Sequence, residues 1–172
     1  MRELPKRKNI RLQGFDYNSN GAYFLTICTL NRNQILSQIV GTGVPDGPAV
    51  KLLPYGEIAE KYIHKLNEFY DNISVESYII MPDHIHMILS IRTDNPYNSG
   101  PSGTLVRTVQ NSVVSRFLST FKRFCNKEYG ENIWQRGSFD HIIRDQEDYE
   151  KHLKYIYENP IRWQAEQKAK DG

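Results

Sequence analysis

Two histidines separated by a single residue, His84 and His86, are the first side chains of this sequence whose type and spacing suit chemistry. They begin the segment His84–Ile91, whose alternating side chains predict a β-strand. Side chains at positions i and i+2 of a strand point to the same face, so the two imidazoles can hold one divalent ion together. A pair of hydrogen-bonded surface histidines is the alternative, and the spacing alone leaves both interpretations open.

A second group of polar residues falls on the helix predicted near the C-terminus. At about 100° per residue, His152, Tyr155 and Asn159 share one stripe of this helix, whereas Tyr157 points away from Asn159. If the helix covers the sheet face that carries the histidines, Tyr155 can attack a metal-bound phosphate and the Asn159 amide oxygen can complete the coordination. The metal is needed because a free tyrosine hydroxyl has a pKa of about 10 and is a poor nucleophile at neutral pH. A tyrosine that only packs is the alternative.

The types of these ligands also predict the ion. Two neutral imidazoles and an amide oxygen, with water in the remaining positions, predict Mg²⁺ or Mn²⁺, since imidazole favours manganese and abundance favours magnesium. His141, on the last predicted strand, shares a face with Phe139 and Ile143. It is a candidate for a further ligand or for a residue that supports the ligands, and a packed histidine is equally compatible with the pattern. His152 is a second candidate for such a supporting role.

The order of the predicted elements indicates how these residues come together. The predicted strands are residues 21–30, 73–81, 84–91 and 138–144, and the predicted helices are residues 55–70, residues 105–129 and a last helix that Asp145 caps and Pro160 ends. Residues 42–48 are predicted to be a loop. This order is that of the ferredoxin-like α+β fold, a split βαβ-βαβ antiparallel sheet, with an added C-terminal helix. Both crossover helices then pack on one face of the sheet and leave the histidine face open.

Length and composition predict one domain spanning residues 1–172, with a basic arm at 1–20 and a flexible linker at 92–104 inside the domain. No apolar stretch approaches the roughly 20 residues of a membrane span, so no membrane partner is expected. The basic start of the chain lacks the apolar segment of a secretory signal. Cys28 and Cys125 form no disulfide framework, and a cytoplasmic location is expected.

The basic residues are clustered, although the formal net charge of +2 does not by itself indicate a nucleic-acid partner. Clusters of this kind can neutralise the phosphates of DNA, and ordinary solvated charge is the alternative. One cluster lies in the N-terminal arm and the other on the predicted helix 105–129. The candidate DNA-binding residues are Lys6, Arg7, Lys8 and Arg11 in the arm and Arg116, Arg123 and Lys127 on the helix.

Several segments carry a resemblance to a known family. The chain contains, in order, RLQGFDYNSNGAYFLTICTLNR, YIIMPDHIHMILSI, FLSTFKRF, IWQRGSFDHIIRD and YIYENPIRW. These segments resemble the repeat-associated (REP-associated) tyrosine transposases, relatives of the smallest insertion-sequence transposases within the HUH (His-hydrophobic-His) superfamily. The resemblance extends over roughly residues 11–163, and the combination of MPDHIHMIL with a later YIxxNPxxW is highly specific.

The resemblance implies a fold, a reaction and a set of site residues. Such enzymes have a ferredoxin-like core and cleave single-stranded DNA near an imperfect hairpin, forming a 5′-phosphotyrosine and a free 3′-OH. By the matched motifs, His84 and His86 are the metal pair, Tyr155 is the nucleophile and Asn159 completes the metal site, where the insertion-sequence branch usually has glutamine. The basic arm is then expected to grip the hairpin and the helix cations to line the path of the strand. The protein is expected to act as a monomer or a homodimer.

Three other interpretations stay open on the sequence. The chain can be a catalytically silent ferredoxin-like DNA-binding module, although such a module has no need of the His84, His86, Tyr155 and Asn159 set. It can be a metal-dependent nuclease in which water attacks and Tyr155 only packs. It can also be a domesticated relative that processes repeats by the same reaction.

Overall fold

A computed structural model describes residues 21–41, 48–92 and 113–170. The strands are β1 (Gly21–Cys28), β2 (Ser37–Val40), β3 (Ala49–Leu52), β4 (Ile73–Ile80), β5 (His84–Ile91) and β6 (Phe139–Ile143), and the α-helices are α1 (Pro54–Phe69), α2 (Val113–Tyr129) and α3 (Gln146–Lys170). Four strands form an antiparallel sheet in the order β4-β5-β1-β6. This is the predicted ferredoxin-like α+β arrangement with an added C-terminal helix.

One face of the sheet packs against α1 and α2 and contains the main core. Because side chains alternate along β5, its residues Ile85, Met87, Leu89 and Ile91 all enter this core. The helices contribute an apolar stripe to the same cluster, as the 3.6-residue spacing predicts. The helical side chains buried in it are Ala59, Ile63 and Leu66 of α1 and Val113, Val114, Phe117, Leu118, Phe121 and Cys125 of α2.

The opposite face of the sheet lies under α3. Phe24 of β1, Ile88 of β5 and Ile156 of α3 form a second buried cluster there. Tyr149 and Leu153 pack against this cluster, so the stripe of α3 formed by Tyr149, Leu153 and Ile156 faces the sheet. The face that carries His84 and His86 is therefore covered by the helix that carries Tyr155.

A small hairpin between β1 and α1 was not predicted from the sequence. Strands β2 and β3 pair in register from Ser37 opposite Leu52 to Val40 opposite Ala49. Each strand has only four residues, which is too short for alternation to be detected, and the predicted loop lies between them. Most of that loop, residues 42–47, lies outside the described residues.

The prediction that Pro160 ends the last helix was wrong, because α3 continues to Lys170 with Pro160 inside it. Proline has no amide hydrogen to donate to the carbonyl four residues earlier, which costs about 3 kcal/mol in a helix interior. Contacts beyond the proline offset this cost. The Trp163 ring lies 5.9 Å from the His84 ring, and Gln164 Nε2 donates a hydrogen bond of 2.9 Å to the Gly41 carbonyl.

Other predicted boundaries differ less. Strand β1 ends at Cys28 rather than residue 30, because Leu30–Arg32 form a short 3-10 helix in which Asn31 and Arg32 have positive φ angles. The predicted arm, the linker 93–104 and the first turns of the helix predicted at 105–129 lie outside the described residues. Among the described helices, none combines the length and apolar character needed to cross a membrane.

Candidate active site

His84 and His86 lie side by side on the sheet face beneath α3. Their ring centroids are 4.5 Å apart, and each residue is only 6% exposed. His84 Nδ1 lies 2.5 Å from a carboxylate oxygen of Asp83, and His86 Nδ1 lies 2.9 Å from the hydroxyl oxygen of Thr26. Because each ring uses Nδ1 in this way, Nε2 is left available on both histidines as a metal ligand.

The surroundings of His86 keep its imidazole neutral. Burial lowers its pKa to about 3, and the nearby positive charges of His84 and Arg32 act in the same direction. A neutral imidazole is the form that ligates a metal. The donor set of this pair therefore fits a divalent ion.

Asp83 connects the histidine pair to the rest of the protein. Its second carboxylate oxygen lies 3.1 Å from Arg32 Nε, and the aspartate is buried while the arginine side chain is half exposed. The charge of Arg32 offsets the cost of burying this carboxylate. Asp83 in turn holds the orientation of the His84 ring, as carboxylates next to metal-ligating histidines do.

Helix α3 brings three residues of one stripe over the histidine pair. The Tyr155 ring centroid is 5.2 Å from that of His86, and Trp163, eight residues later, contacts His84. Asn159 lies between them on the same stripe and is only 5% exposed. The structure thus places Tyr155 beside the histidine pair, and the helical spacing places the buried Asn159 one turn further along the same stripe.

The two tyrosines of this helix differ in their surroundings. Tyr155 is 38% exposed and lies against His86 and Phe24, with the Arg162 guanidinium 5.5 Å from its ring centroid. Tyr157 is 69% exposed, and at about 100° per residue it lies roughly 200° around the helix from Tyr155. The predicted helical phase, which favours Tyr155, therefore agrees with the geometry.

His141 and His152, predicted as supporting residues, form a second polar group with Asp148. His141 Nε2 lies 2.8 Å from one carboxylate oxygen of Asp148, and His152 Nδ1 lies 3.1 Å from the other. The two imidazoles stack with centroids 4.5 Å apart. One ligand atom from each of these three residues lies within 4.8 Å of the others, so the group is a candidate His/Asp metal site.

The predicted DNA-binding cations of α2 are not near these residues. Arg116, Arg123 and Lys127 are exposed on α2, which packs on the other side of the sheet from His84 and His86. The four cations of the arm, Lys6, Arg7, Lys8 and Arg11, lie outside the described residues.

Several residues of the site were not found from the sequence. Phe24 and Thr26 reach it because β1 pairs with β5, with Thr26 directly opposite His86. Arg32 reaches Asp83 from the 3-10 helix. Trp163, in contrast, could have been found from the sequence. Its position eight residues after Tyr155 places it on the same helical stripe.

The sequence of this chain matches a known family over the same elements that build the site. Residues 18–159 match the model of the family described as Transposase IS200 like, which is well over half of the chain. The protein therefore belongs to this family. Membership supports a transposase role with DNA as the partner, and it indicates an enzyme.

Individual relatives agree with this assignment. A Haemophilus influenzae protein named only as uncharacterized is 28% identical over 179 residues, covering 95% of this chain and 93% of its own length. The REP-associated tyrosine transposase of Escherichia coli is 28% identical over 88 residues, covering 51% of this chain and 44% of its own length. A solved REP-associated tyrosine transposase bound to a REP hairpin shares the fold, with a TM-score of 0.61 at 20% identity, over 88% of this chain and 74% of the other.

Proposed function

We propose that this protein is a metal-dependent endonuclease and strand transferase that acts on single-stranded DNA at hairpin or repeat sequences through a 5′-phosphotyrosine intermediate. The observation that carries the proposal is the contact between the Tyr155 ring and His86, whose neighbour His84 completes the pair. A hydroxyl nucleophile and a buried amide on one helix stripe, together with two imidazole ligands on the strand beneath, are the parts this reaction needs.

The chain offers a ligand set for Mg²⁺ or Mn²⁺. His84 and His86 would ligate through Nε2, since their Nδ1 atoms are engaged by Asp83 and Thr26. The buried Asn159 amide would supply an oxygen. A divalent ion held by these groups supplies charge neutralisation at the scissile phosphate.

Tyr155 carries the covalent step in this proposal. Its phenolic oxygen attacks phosphorus and loses its proton, the bond from phosphorus to the 3′ oxygen breaks, and the departing 3′ oxygen takes up a proton. The DNA is left with a free 3′-OH and a 5′ phosphate joined to the tyrosine. Joining is the reverse reaction with a second 3′-OH. The Arg162 guanidinium lies 5.5 Å from the Tyr155 ring centroid, where it can hold the ring by a cation–π contact.

We further propose that the basic residues bind DNA, those of α2 outside the centre of reaction. The α2 residues Arg116, Arg123 and Lys127 lie behind the sheet from Tyr155, so phosphates bound there belong to DNA that passes around the molecule. The arm residues Lys6, Arg7, Lys8 and Arg11 would hold a hairpin stem. The protein would act in the cytoplasm on chromosomal repeats, as a monomer or a homodimer.

Two variants of neighbouring tyrosines test the proposal. Labelled hairpin DNA from the flanks of the gene is incubated with Mn²⁺ or Mg²⁺ and the wild-type protein, Tyr155→Phe or Tyr157→Phe, and the products are separated on denaturing gels. A metal-dependent covalent adduct that only Tyr155→Phe abolishes supports the transferase. Loss of the adduct only in Tyr157→Phe reassigns the nucleophile.

The same assay separates the two other candidate functions. Cleavage that survives in Tyr155→Phe without any adduct identifies a nuclease that uses water. Tight DNA binding without any cleavage, by folded wild-type protein with metal present, identifies a catalytically silent DNA-binding module.

A further inference from the structure

The group formed by His141, Asp148 and His152 is separate from the His84 and His86 pair, although both lie beneath α3. Phe24 lies between them, since its ring centroid is 5.1 Å from that of His86 and 4.6 Å from that of His152. In the sheet, Phe24 pairs with Ile88 of β5 on one side and with His141 of β6 on the other. An aromatic ring therefore divides the face into two polar sites.

The second site has the ligand types and spacing of a transition-metal centre. Asp148 and His152 are at positions i and i+4 of α3, the spacing at which two side chains on one helical face bind a common ion. His141 completes the set from β6, so the three ligands come from two elements. Two imidazoles and one carboxylate suit zinc and its neighbours in the first transition series better than magnesium.

The distances also suit an ion. His141 Nε2 lies 2.8 Å from one oxygen of the Asp148 carboxylate, and His152 Nδ1 lies 3.1 Å from the other and 2.8 Å from the Asp148 main-chain oxygen. Ligand atoms around zinc each lie about 2.0–2.2 Å from the metal, so neighbouring ligands are separated by a little over 3 Å. The three side chains remain partly exposed, which leaves room for water as a further ligand.

We propose that His141, Asp148 and His152 bind a second divalent transition-metal ion such as zinc. Because its ligands come from both elements, this ion links the first turns of α3 to β6. Tyr155 lies three residues after His152 on the same helix, so the ion fixes the position of the helix just before the tyrosine. The proposal does not rest on the proposed strand transfer, because it concerns only these three side chains and the metal.

Hydrogen bonding alone is the competing explanation of the cluster. Asp148 also accepts a hydrogen bond of 3.1 Å from the Arg144 amide, and His152 Nδ1 lies 2.8 Å from the Asp148 main-chain oxygen. Burial raises the pKa of the Asp148 carboxyl, but the hydrogen bonds from His141 and the Arg144 amide lower it overall. A carboxylate satisfied in this way needs no ion. The two explanations differ in whether added metal binds at this position.

Cobalt(II) and zinc(II) titrations distinguish them. Apo protein is titrated with Co²⁺, followed by its ligand-field absorption, and with Zn²⁺, followed by calorimetry. His141→Gln keeps a side chain that can hydrogen-bond to Asp148 but removes a strong ligand. His64→Gln is the matched control, because His64 of α1 bonds only to the Tyr78 hydroxyl among its described neighbours and lies away from both sites.

The proposal predicts that His141→Gln binds one equivalent of metal fewer than the wild type, whereas His64→Gln binds the wild-type number. His84→Ala is expected to lose a different equivalent, and the double variant His84→Ala/His141→Gln to lose both. Zinc is also expected to raise the melting temperature of His84→Ala but not that of the double variant.

An unchanged stoichiometry and affinity in folded His141→Gln overturns the proposal. If His141→Gln does not fold, Asp148→Asn takes its place, since the amide oxygen can still accept from the Arg144 amide while the charged ligand is lost. Wild-type metal binding by folded Asp148→Asn likewise overturns the proposal.

Discussion

In the proposed metal site, the Thr26 hydroxyl determines which nitrogen of His86 ligates, and Thr26→Val perturbs this site while leaving its proposed ligands in place. Valine matches threonine in shape and suits a strand, so β1 should be preserved. The change removes the hydroxyl that lies 2.9 Å from His86 Nδ1. When Nε2 ligates a metal, Nδ1 carries the proton and needs this oxygen as its acceptor.

The size of the effect follows from the burial of the pair. A buried N–H without an acceptor costs about 1–3 kcal/mol, and the half-buried position of Thr26 favours the lower part of that range, about 1–2 kcal/mol. The free protein escapes much of this cost by moving the proton to Nε2, but the metal-bound form cannot. Since about 1.4 kcal/mol is a factor of ten, metal affinity should fall roughly 5- to 30-fold.

Calorimetric titration of Mn²⁺ into wild type and Thr26→Val measures this change, with circular dichroism to check folding. Thr120→Val is the matched control, because the Thr120 hydroxyl bonds to Tyr70 on the other side of the sheet. The control should bind Mn²⁺ as the wild type does. An affinity for Thr26→Val within twofold of wild type, in folded protein, would refute the reasoning that this hydroxyl sets the His86 tautomer.

Three further predictions concern packing, pH dependence and DNA binding. Gly56→Ala should lower the free energy of unfolding by about 3 kcal/mol or more in urea titrations, because an added Cβ would lie 2.0 Å from the Leu36 carbonyl oxygen. Gly21→Ala is the control and should be neutral, because its added Cβ would have no neighbouring atom closer than 3.9 Å. Burial lowers the pKa of Lys122 to about 8, so the unfolded chain binds more protons between pH 8 and 10.5. The stability of wild type relative to Lys122→Met should therefore rise with pH in that window, by at most about 1.4 kcal/mol per unit, and a flat or falling difference contradicts it. Removing three α2 cations should reduce the slope of log affinity against log salt by about 2–3 in DNA-binding titrations, and an unchanged slope argues against their phosphate contacts. The three substitutions are Arg116→Gln, Arg123→Gln and Lys127→Gln.

The core architecture was predictable because its periodicities are long and regular. Eight residues of alternation in β5 are enough to separate the buried face of the strand from the face that carries the histidines. Helix α1 and the inward stripe of α3 carry equally regular patterns. The relation between His84, His86, Tyr155 and Asn159 follows from these periods once α3 covers the sheet, and α3 does pack on that face.

The remaining features depend on contacts that a single sequence does not encode locally. The β2–β3 hairpin is too short to show alternation. The continuation of α3 past Pro160 depends on tertiary contacts from Trp163 and Gln164, which offset the local cost. The roles of Thr26 and Phe24 require the register of β1 against β5, which links residues about 60 positions apart in the chain.

The most direct test of the central claim is to identify by mass spectrometry the residue that is joined to DNA. The covalent adduct is digested with nuclease and with trypsin, which cleaves after Lys154 and Arg162 and leaves Tyr155 and Tyr157 on one peptide. Fragmentation of that peptide then locates the 5′-phosphate. The proposed mechanism predicts the modification on Tyr155 alone. Modification of Tyr157, or of a residue outside this peptide, would contradict it.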